Sequence, residues 1–269
     1  MTKRIVLCAD DYGQALNISE GIIDLVKLGR LSAVSCLTNF PQWQMQADWL
    51  KPYRDQIDIG LHINLTEGEP LSIEFRKKYG ERLFTLPKLM VKSALHVLNK
   101  HLIINEIEAQ IQQFKESMGF LPDFLDGHQH VHQFPIVRDA LLSVYESLRP
   151  QKPYVRLVAK TFSIQQGFKY LVLYGMGGRA LGKLLAKYKI PFNQSFAGLY
   201  DFTSDYQPNF ESFLLNIQAG GIIMCHPGRP SDCLVDAIKD ARSLERDYFL
   251  SDAFIQACNR HDVVLGRFK

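Results

Sequence analysis

The stretch Asp123–Leu148, DFLDGHQHVHQFPIVRDALLSVYESL, reads as one βα unit. Its first five residues, Asp123–Gly127, have the length and apolar composition of a strand. From Pro135 to Leu148 the apolar residues follow helical spacing, with proline in the first turn, where its missing N–H leaves no bond unmade. Between the two lie three histidines at alternate positions, His128, His130 and His132, following Asp126 at the same spacing. If the extended chain continued through them, all four side chains would share one face. Such a face is costly to bury without partners. Three imidazoles flanked by hydrophobic runs favour a metal or catalytic site over an exposed polar edge.

The same alternation recurs along the chain. Strands are expected at Arg4–Ala9, Ala33–Asn39, Ile57–Leu65, Tyr154–Ala159 and Gly221–His226, with a weaker one at Asp262–Gly266. A capping box, Asn17-Ile-Ser-Glu20, is expected to open a helix running to about Leu28, and Ile104–Ser117 has helical spacing. Repeated βα units imply a parallel sheet, open or closed into a barrel, with the ligand site at the carboxyl ends of the strands. With 269 residues, 46% hydrophobic, and no Pro/Ser/Gly-rich linker, residues 1–269 are expected to form a single domain. The opening MTKRIVLCADDYG has too short an apolar run for a signal peptide or membrane span, which suggests a cytoplasmic protein. Cys8, Cys36, Cys225, Cys233 and Cys258 are widely spaced and read as reduced core thiols. A formal charge of +3 gives no argument for nucleic acid.

Polar residues gather at four strand ends. Asp10 and Asp11 end the first strand, His62 and Asn64 lie late in the third, the histidine cluster follows the next, and His226 ends a late one. Taken singly, each has an ordinary explanation as a cap, a core histidine or a turn. Together they fit a divalent metal held by two imidazoles and a carboxylate, with a second carboxylate free to act as base. Adjacent aspartates can divide these tasks because consecutive side chains diverge. A histidine opposite could protonate a leaving group.

The motifs ADDYG, GLHINLTEGEP, LDGHQHVHQFP and MCHPG, in this order, resemble those of the YdjC-like carbohydrate deacetylases, a group that includes chito-oligosaccharide deacetylase and the deacetylase of hopanoid biosynthesis. The resemblance implies a deformed (β/α) barrel related to polysaccharide deacetylases and one divalent metal ion, magnesium or zinc foremost. It also implies hydrolysis of an N-acetyl group from an acetylated amino sugar. It places the metal ligands at Asp11, His62 and His128, the catalytic base at Asp10 and the general acid at His226. His130 and His132 are left for supporting hydrogen bonds or substrate contact, Asp126 for orienting an imidazole, and Asn64 and Arg156 for substrate or base. Arg156 is followed by Leu157-Val158, where the related deacetylases favour a proline. Two alternatives stay open, a phosphoesterase and a non-catalytic sugar-binding protein. Phosphate usually calls for convergent basic residues, and no basic motif adjoins the four strand ends in the sequence.

One feature lies outside these motifs. From Ser147 to Tyr200 there is no Asp or Glu but there are nine basic residues, and Lys183, Lys187 and Lys189 flank Leu181, Leu184, Leu185 and Tyr188 at helical spacing. A barrel helix with a solvated basic face is the simpler reading. The sharper one is a basic insertion or lid around 160–195 whose 169–189 segment touches a membrane surface or an anionic substrate. A homodimer is compatible with the resemblance, and no face of the sequence identifies one.

Overall fold

In the computed structural model, which describes residues 2–158, 177–232 and 236–268, the strands form one parallel sheet. They are β1 (Lys3–Tyr12), β2 (Ala33–Cys36), β3 (Asp58–Ile63), β4 (Phe124–Gly127), β5 (Tyr154–Val155), β6 (Phe196–Ala197), β7 (Ile222–Cys225) and β8 (Val263–Leu265). The order is β5-β4-β3-β2-β1-β7-β6, with β8 pairing the first residues of β1. The two ends of this order meet. Val155 bridges Phe192, just before β6, and donates its N–H to Pro191 O at 2.9 Å. The buried Asn193 side chain bonds both the N–H and the C=O of Leu157 (2.7 and 2.9 Å), taking the place of a strand ladder. The sheet is thereby a deformed (β/α) barrel, as the motifs imply.

Around it run α1 (Leu16–Lys27), α2 (Trp43–Leu50), α3 (Ile73–Tyr79), α4 (Leu86–Ala94), α5 (Lys100–Met118), α6 (Val137–Leu148), α7 (Arg179–Tyr188), α8 (Tyr206–Asn216), α9 (Lys239–Leu250) and α10 (Asp252–Arg260). None is long and apolar enough to cross a membrane, among the described residues.

The alternation of side chains divides the core in two. Ile5, Leu7 and Ala9 of β1 join the large cluster shared with the helices, while Val6 and Cys8 join Ala33, Phe124, Tyr154, Phe196, Ile222 and Met224 in a smaller cluster that fills the barrel. The inward parity continues toward the carboxyl ends as Asp10, Ser35, His62, Asp126 and Arg156. At the opposite end the buried Asp58 carboxylate accepts from Arg267 Nε and the Phe268 N–H, both at 2.7 Å, and Phe268 stacks on Tyr154 with centroids 4.2 Å apart. The barrel is therefore apolar in the middle, sealed below and polar above.

Three expectations need correction. Asn17 and Glu20 do not form a capping box on α1: the helix starts at Leu16 after Ala15, with no side-chain cap, Asn17 Nδ2 donates to Arg229 O, and Glu20 accepts from Arg229 Nη1. The chain after β4 does not continue extended through the histidines but folds into a tight turn, His128–Gln133, with Gln129 and His130 in the left-handed region (φ 52° and 60°). The two-residue strand β6 was not anticipated, because so short a run shows no period. Much of the basic 160–195 segment, with Lys160, Lys169 and Leu171–Tyr174, lies outside the described residues, as does Cys233. Its described part, residues 177–195, contains α7, where Leu181 and Leu185 enter the main core while Lys183, Lys187 and Tyr188 are exposed, as is Lys189 just beyond the helix.

Gly60, at an inward position of β3, lies under the Phe124 ring: an added Cβ would sit 2.4 Å from it. Phe124 is itself fully buried and stacked on Tyr154 at 4.9 Å, so it has no room to yield. Gly60→Ala is expected to destabilise the fold by about 1–3 kcal/mol, read as a fall in the urea midpoint at unchanged slope. An unchanged midpoint would show that the barrel interior is looser than its packing implies.

Candidate functional site

The polar upper layer of the barrel opens into a cleft of about 480 Å³ whose lining includes Asp10, Asp11, His62, Glu67, His128, His130, His226 and Arg242. These come from the carboxyl ends of β1, β3, β4 and β7 and from α9. Asp10 faces inward by strand parity. Asp11 by parity would face out, but β1 breaks register with β2 between Ala9 and Tyr12 and Asp11 takes φ 69°. This bulge re-aims the second carboxylate into the same cleft.

Asp11, His62 and His128 offer ligand atoms that all lie within 4.8 Å of one another. His62 Nδ1 is 2.6 Å from Asp126 Oδ1, which leaves Nε2 facing Asp11 Oδ1 at 3.6 Å. Asp126 also accepts from Ser35 Oγ at 2.6 Å and pairs with Arg156 at 2.7 Å. His128 Nδ1 is 2.9 Å from Asp11 Oδ1; its Nε2 has no hydrogen bond, although Glu67 Oε1 lies 3.2 Å away. The other Asp11 oxygen accepts from Arg242 Nη2 at 2.8 Å.

Arg156 is wholly buried and reaches no solvent or cleft surface. Its Nη1 and Nη2 each donate to Asp10 at 2.6 Å, a bidentate fork that fixes the carboxylate's direction. Nη2 also lies 2.9 Å from Cys8 Sγ. A second constellation, Cys8, Asp10 and Asp126, has metal-like spacing, but this guanidinium already fills its centre, and burial pushes the Cys8 thiol far above its usual range.

The remaining sequence candidates fall in different places. His132 Nε2 bonds Arg156 O at 2.8 Å, fixing the segment that carries the guanidinium. His130 lines the cleft with its ring edge-on to Phe196, and its Nδ1 is unpartnered. Asn64 is wholly buried; its amide bonds Asn39, Glu67 O and the N–H groups of Thr66 and Glu67. It shapes the loop that brings Glu67 to the cleft and does not line the cleft itself. His226 stands at the cleft wall with Nδ1 buried and unpartnered. Cys225 is buried with its Sγ 3.4 Å from Cys8 O, a core thiol whose pKa burial pushes well up.

Burial and neighbours drive the five imidazoles apart. Burial disfavours a charged His62, but Asp126 and Asp10 outweigh it and push the pKa up to about 10; Asp11 does the same for His128, to about 9. For His132 and His226 burial dominates and lowers the pKa to about 4, and His130 is held well below its usual value for the same reason. Asp11 stays ionised despite its burial, because Arg242 and His128 hold its carboxyl well below the usual range.

Arg242, Glu67 and Glu245 were not among the sequence candidates. Glu67 sits inside a quoted motif and could have been flagged as a second carboxylate on the His62 side. Arg242 and Glu245 lie in KDARSLERDYFL, where charged residues look like the solvated face of a helix, yet both are buried. Basic groups therefore do adjoin the site, contrary to the sequence reading. Arg156 is committed to Asp10 and Asp126, and Arg242 uses Nη2 on Asp11 and Nε on Asp236.

The profile of the YdjC-like protein family matches residues 4–260. Curated relatives include a carbohydrate deacetylase of Danio rerio, 36% identical over 148 residues (52% of this chain, 46% of that one). The carbohydrate deacetylase of Halalkalibacterium halodurans is 31% identical over 138 residues (50% and 56%), and the chitooligosaccharide deacetylase of Yersinia pestis is 30% identical over 138 residues (50% and 53%). The matches thus span about half the length of these relatives. Among solved structures, an Enterococcus faecalis protein proposed to cleave cellobiose phosphate superposes with TM-score 0.75 at 20% identity, covering 99% of this chain and 98% of its own. A peptidoglycan N-acetylglucosamine deacetylase superposes with TM-score 0.53 at 13% identity, covering 98% and 85%. These two share the fold. With the family profile covering nearly the whole sequence, the chain belongs to the YdjC-like family.

Proposed function

We propose that this protein is a metal-dependent carbohydrate deacetylase that hydrolyses the N-acetyl group of an amino sugar and releases acetate. The observation that carries the reading is the convergence, in one cleft, of a metal-type donor set with a separately oriented carboxylate and a desolvated histidine. The names of the curated relatives support the same reaction class.

The residues present fit a divalent ion. Asp11 gives one ionised oxygen, His62 presents Nε2 because Asp126 occupies Nδ1, and His128 turns its Nδ1 toward Asp11 Oδ1 at 2.9 Å. A carboxylate behind the ligating imidazole is the usual outer support of such sites. Two imidazoles and a carboxylate suit zinc among several divalent metals, and cellular availability decides which is held. Held by these residues, the ion would supply a Lewis acid to polarise the acetamide carbonyl.

The chain's own groups account for the proton movements. Asp10, oriented by the Arg156 fork, takes a proton from the attacking water. His226 delivers one to the departing nitrogen from the cleft wall. Arg156 itself is a positioning group, too deep to touch a sugar.

In the metal-free protein His62 and His128 hold protons at neutral pH, since their pKa values are about 10 and about 9. Metal ligation needs the neutral rings. Zinc binding at pH 7.5 is therefore expected to release roughly two protons, and affinity should climb as pH rises toward 9. Calorimetry in buffers of different ionisation heat counts the protons; a count of zero would show that both rings are already neutral in the metal-free protein.

The two aspartates are separable by measuring metal content and acetate together, with N-acetylated chito-oligosaccharides as substrate. Asp10→Asn should keep its metal and lose roughly 10²-fold or more in kcat. Asp11→Asn should lose metal first, and chelator should abolish wild-type turnover. Phosphate release from a phosphorylated sugar, with no acetate, would favour the phosphoesterase; sugar binding without either product would favour a non-catalytic role.

A further inference from the structure

His226 lacks the anchor that His62 has. Among the described residues no carboxylate or carbonyl bonds its Nδ1, so the imidazole's direction is set by its main chain and by what its ring touches. Its N–H donates to Glu245 Oε2 at 2.5 Å, and its ring meets Phe202 edge-on, centroids 5.4 Å apart. Phe202 lies against Tyr200 at 4.6 Å, and the Tyr200 hydroxyl donates to Glu245 Oε1 at 2.6 Å. The two oxygens of one buried carboxylate thus fasten both the strand end that carries His226 and the aromatic pair its ring rests on.

Two further features mark this as more than ordinary packing. Phe202 takes φ 63°, a region bulky side chains avoid and which persists only where the surroundings impose it. Glu245 is wholly buried, and burial pushes its pKa up to about 7 against the pull of Tyr200, the His226 N–H and Arg242. A carboxylate so costly to bury is a poor choice for packing alone.

We propose that Glu245 is a positioning residue for His226, holding the His226 main chain and the Tyr200–Phe202 pair in one register so that the imidazole keeps its direction along the cleft wall. This rests on the reading of His226 as proton donor. Asp11 is served in parallel by Arg242, one turn earlier on α9, so a single helix braces both sides of the cleft.

Glu245→Ala removes both bonds, whereas Glu245→Gln keeps an oxygen for the His226 N–H and can donate to the Tyr200 oxygen. With metal-loaded enzyme and N-acetylated chito-oligosaccharides, the alanine variant should lose roughly tenfold or more in kcat with KM within about twofold, and the glutamine variant should stay within about threefold of wild type. In a His226→Ala background Glu245→Ala should cost nothing further. Losses that multiply in that background, or a glutamine variant as poor as alanine, would overturn the proposal. A second readout needs no turnover: with histidine labelled at Cε1, the His226 signal, assigned from the His226→Ala protein, carries the ring current of Phe202. It should move in Glu245→Ala and in Phe202→Ala but not in Glu245→Gln. A His226 signal unmoved in Glu245→Ala overturns the positioning role whatever the substrate is. A moved signal in a protein that releases no acetate overturns only the deacetylase reading. If Glu245→Ala does not fold, Tyr200→Phe, which removes one of the two bonds, takes its place in both measurements.

Discussion

A single guanidinium makes the site's charge arrangement tolerable. Asp10 and Asp126 are both buried at the upper end of the barrel, where each carboxylate needs hydrogen-bonding partners. Arg156 lies between them, hydrogen-bonding Asp10 through both terminal nitrogens and forming an ion pair with Asp126 through one. Each acid then has a different second task. Asp126 turns its other oxygen to His62, while Asp10 remains at the cleft surface with its direction fixed. Removing the arginine would strip Asp10 of both its guanidinium hydrogen bonds and leave Asp126 with His62 and Ser35, so the layer depends on it. Arg242 performs the same service for Asp11 from outside the barrel wall.

Much of this was legible in the sequence, because strand parity carries it. Asp10, His62, Asp126 and Arg156 occupy inward positions in register with the apolar residues that fill the barrel, Val6 and Cys8 for β1, Phe124 for β4 and Tyr154 for β5. Counting by two from a core residue to the strand end finds them. Asp11 is different: parity sends it outward, and only the bulge at φ 69° returns it to the cleft. The quoted motif located the residue, but nothing in its composition announces the bulge. The histidine cluster failed in the opposite sense. Its alternation promised one shared face, and the tight turn instead sends His128 to the cleft floor beside Asp11, His130 to the wall and His132 behind Arg156.

Arg242 and Glu245 were hidden for a thermodynamic reason. A helix that alternates charged and apolar residues is read as half solvated, since a buried charge is rare unless paired. Their partners, Asp11, Tyr200 and the His226 N–H, lie far along the chain on other elements. Short-range patterning cannot reveal that pairing. Residues of this kind become visible only after the fold has placed their partners, which is why the supporting side of a site is harder to read than its reacting side.

The same residue type serves opposite electrostatic ends across one cleft. His62, ringed by Asp126, Asp10 and Asp11, binds protons far more tightly than free histidine, whereas His226, desolvated and with no carboxylate bonded to its ring among the described residues, binds them more weakly. Environments that push two like groups apart are how acid and base tasks are divided. A His226 near pKa 4 is neutral at rest, so a donor role requires that its proton affinity rise during the reaction. Asp11 and Asp10 already pull in that direction, though burial outweighs them in the resting cleft. A tetrahedral oxyanion forming beside it would add negative charge in the same low-dielectric space. In the proposed reaction His226 would take up a solvent proton as that charge forms and pass it to the amide nitrogen as the C–N bond breaks, returning to its neutral state, while the proton taken from water by Asp10 goes back to solvent.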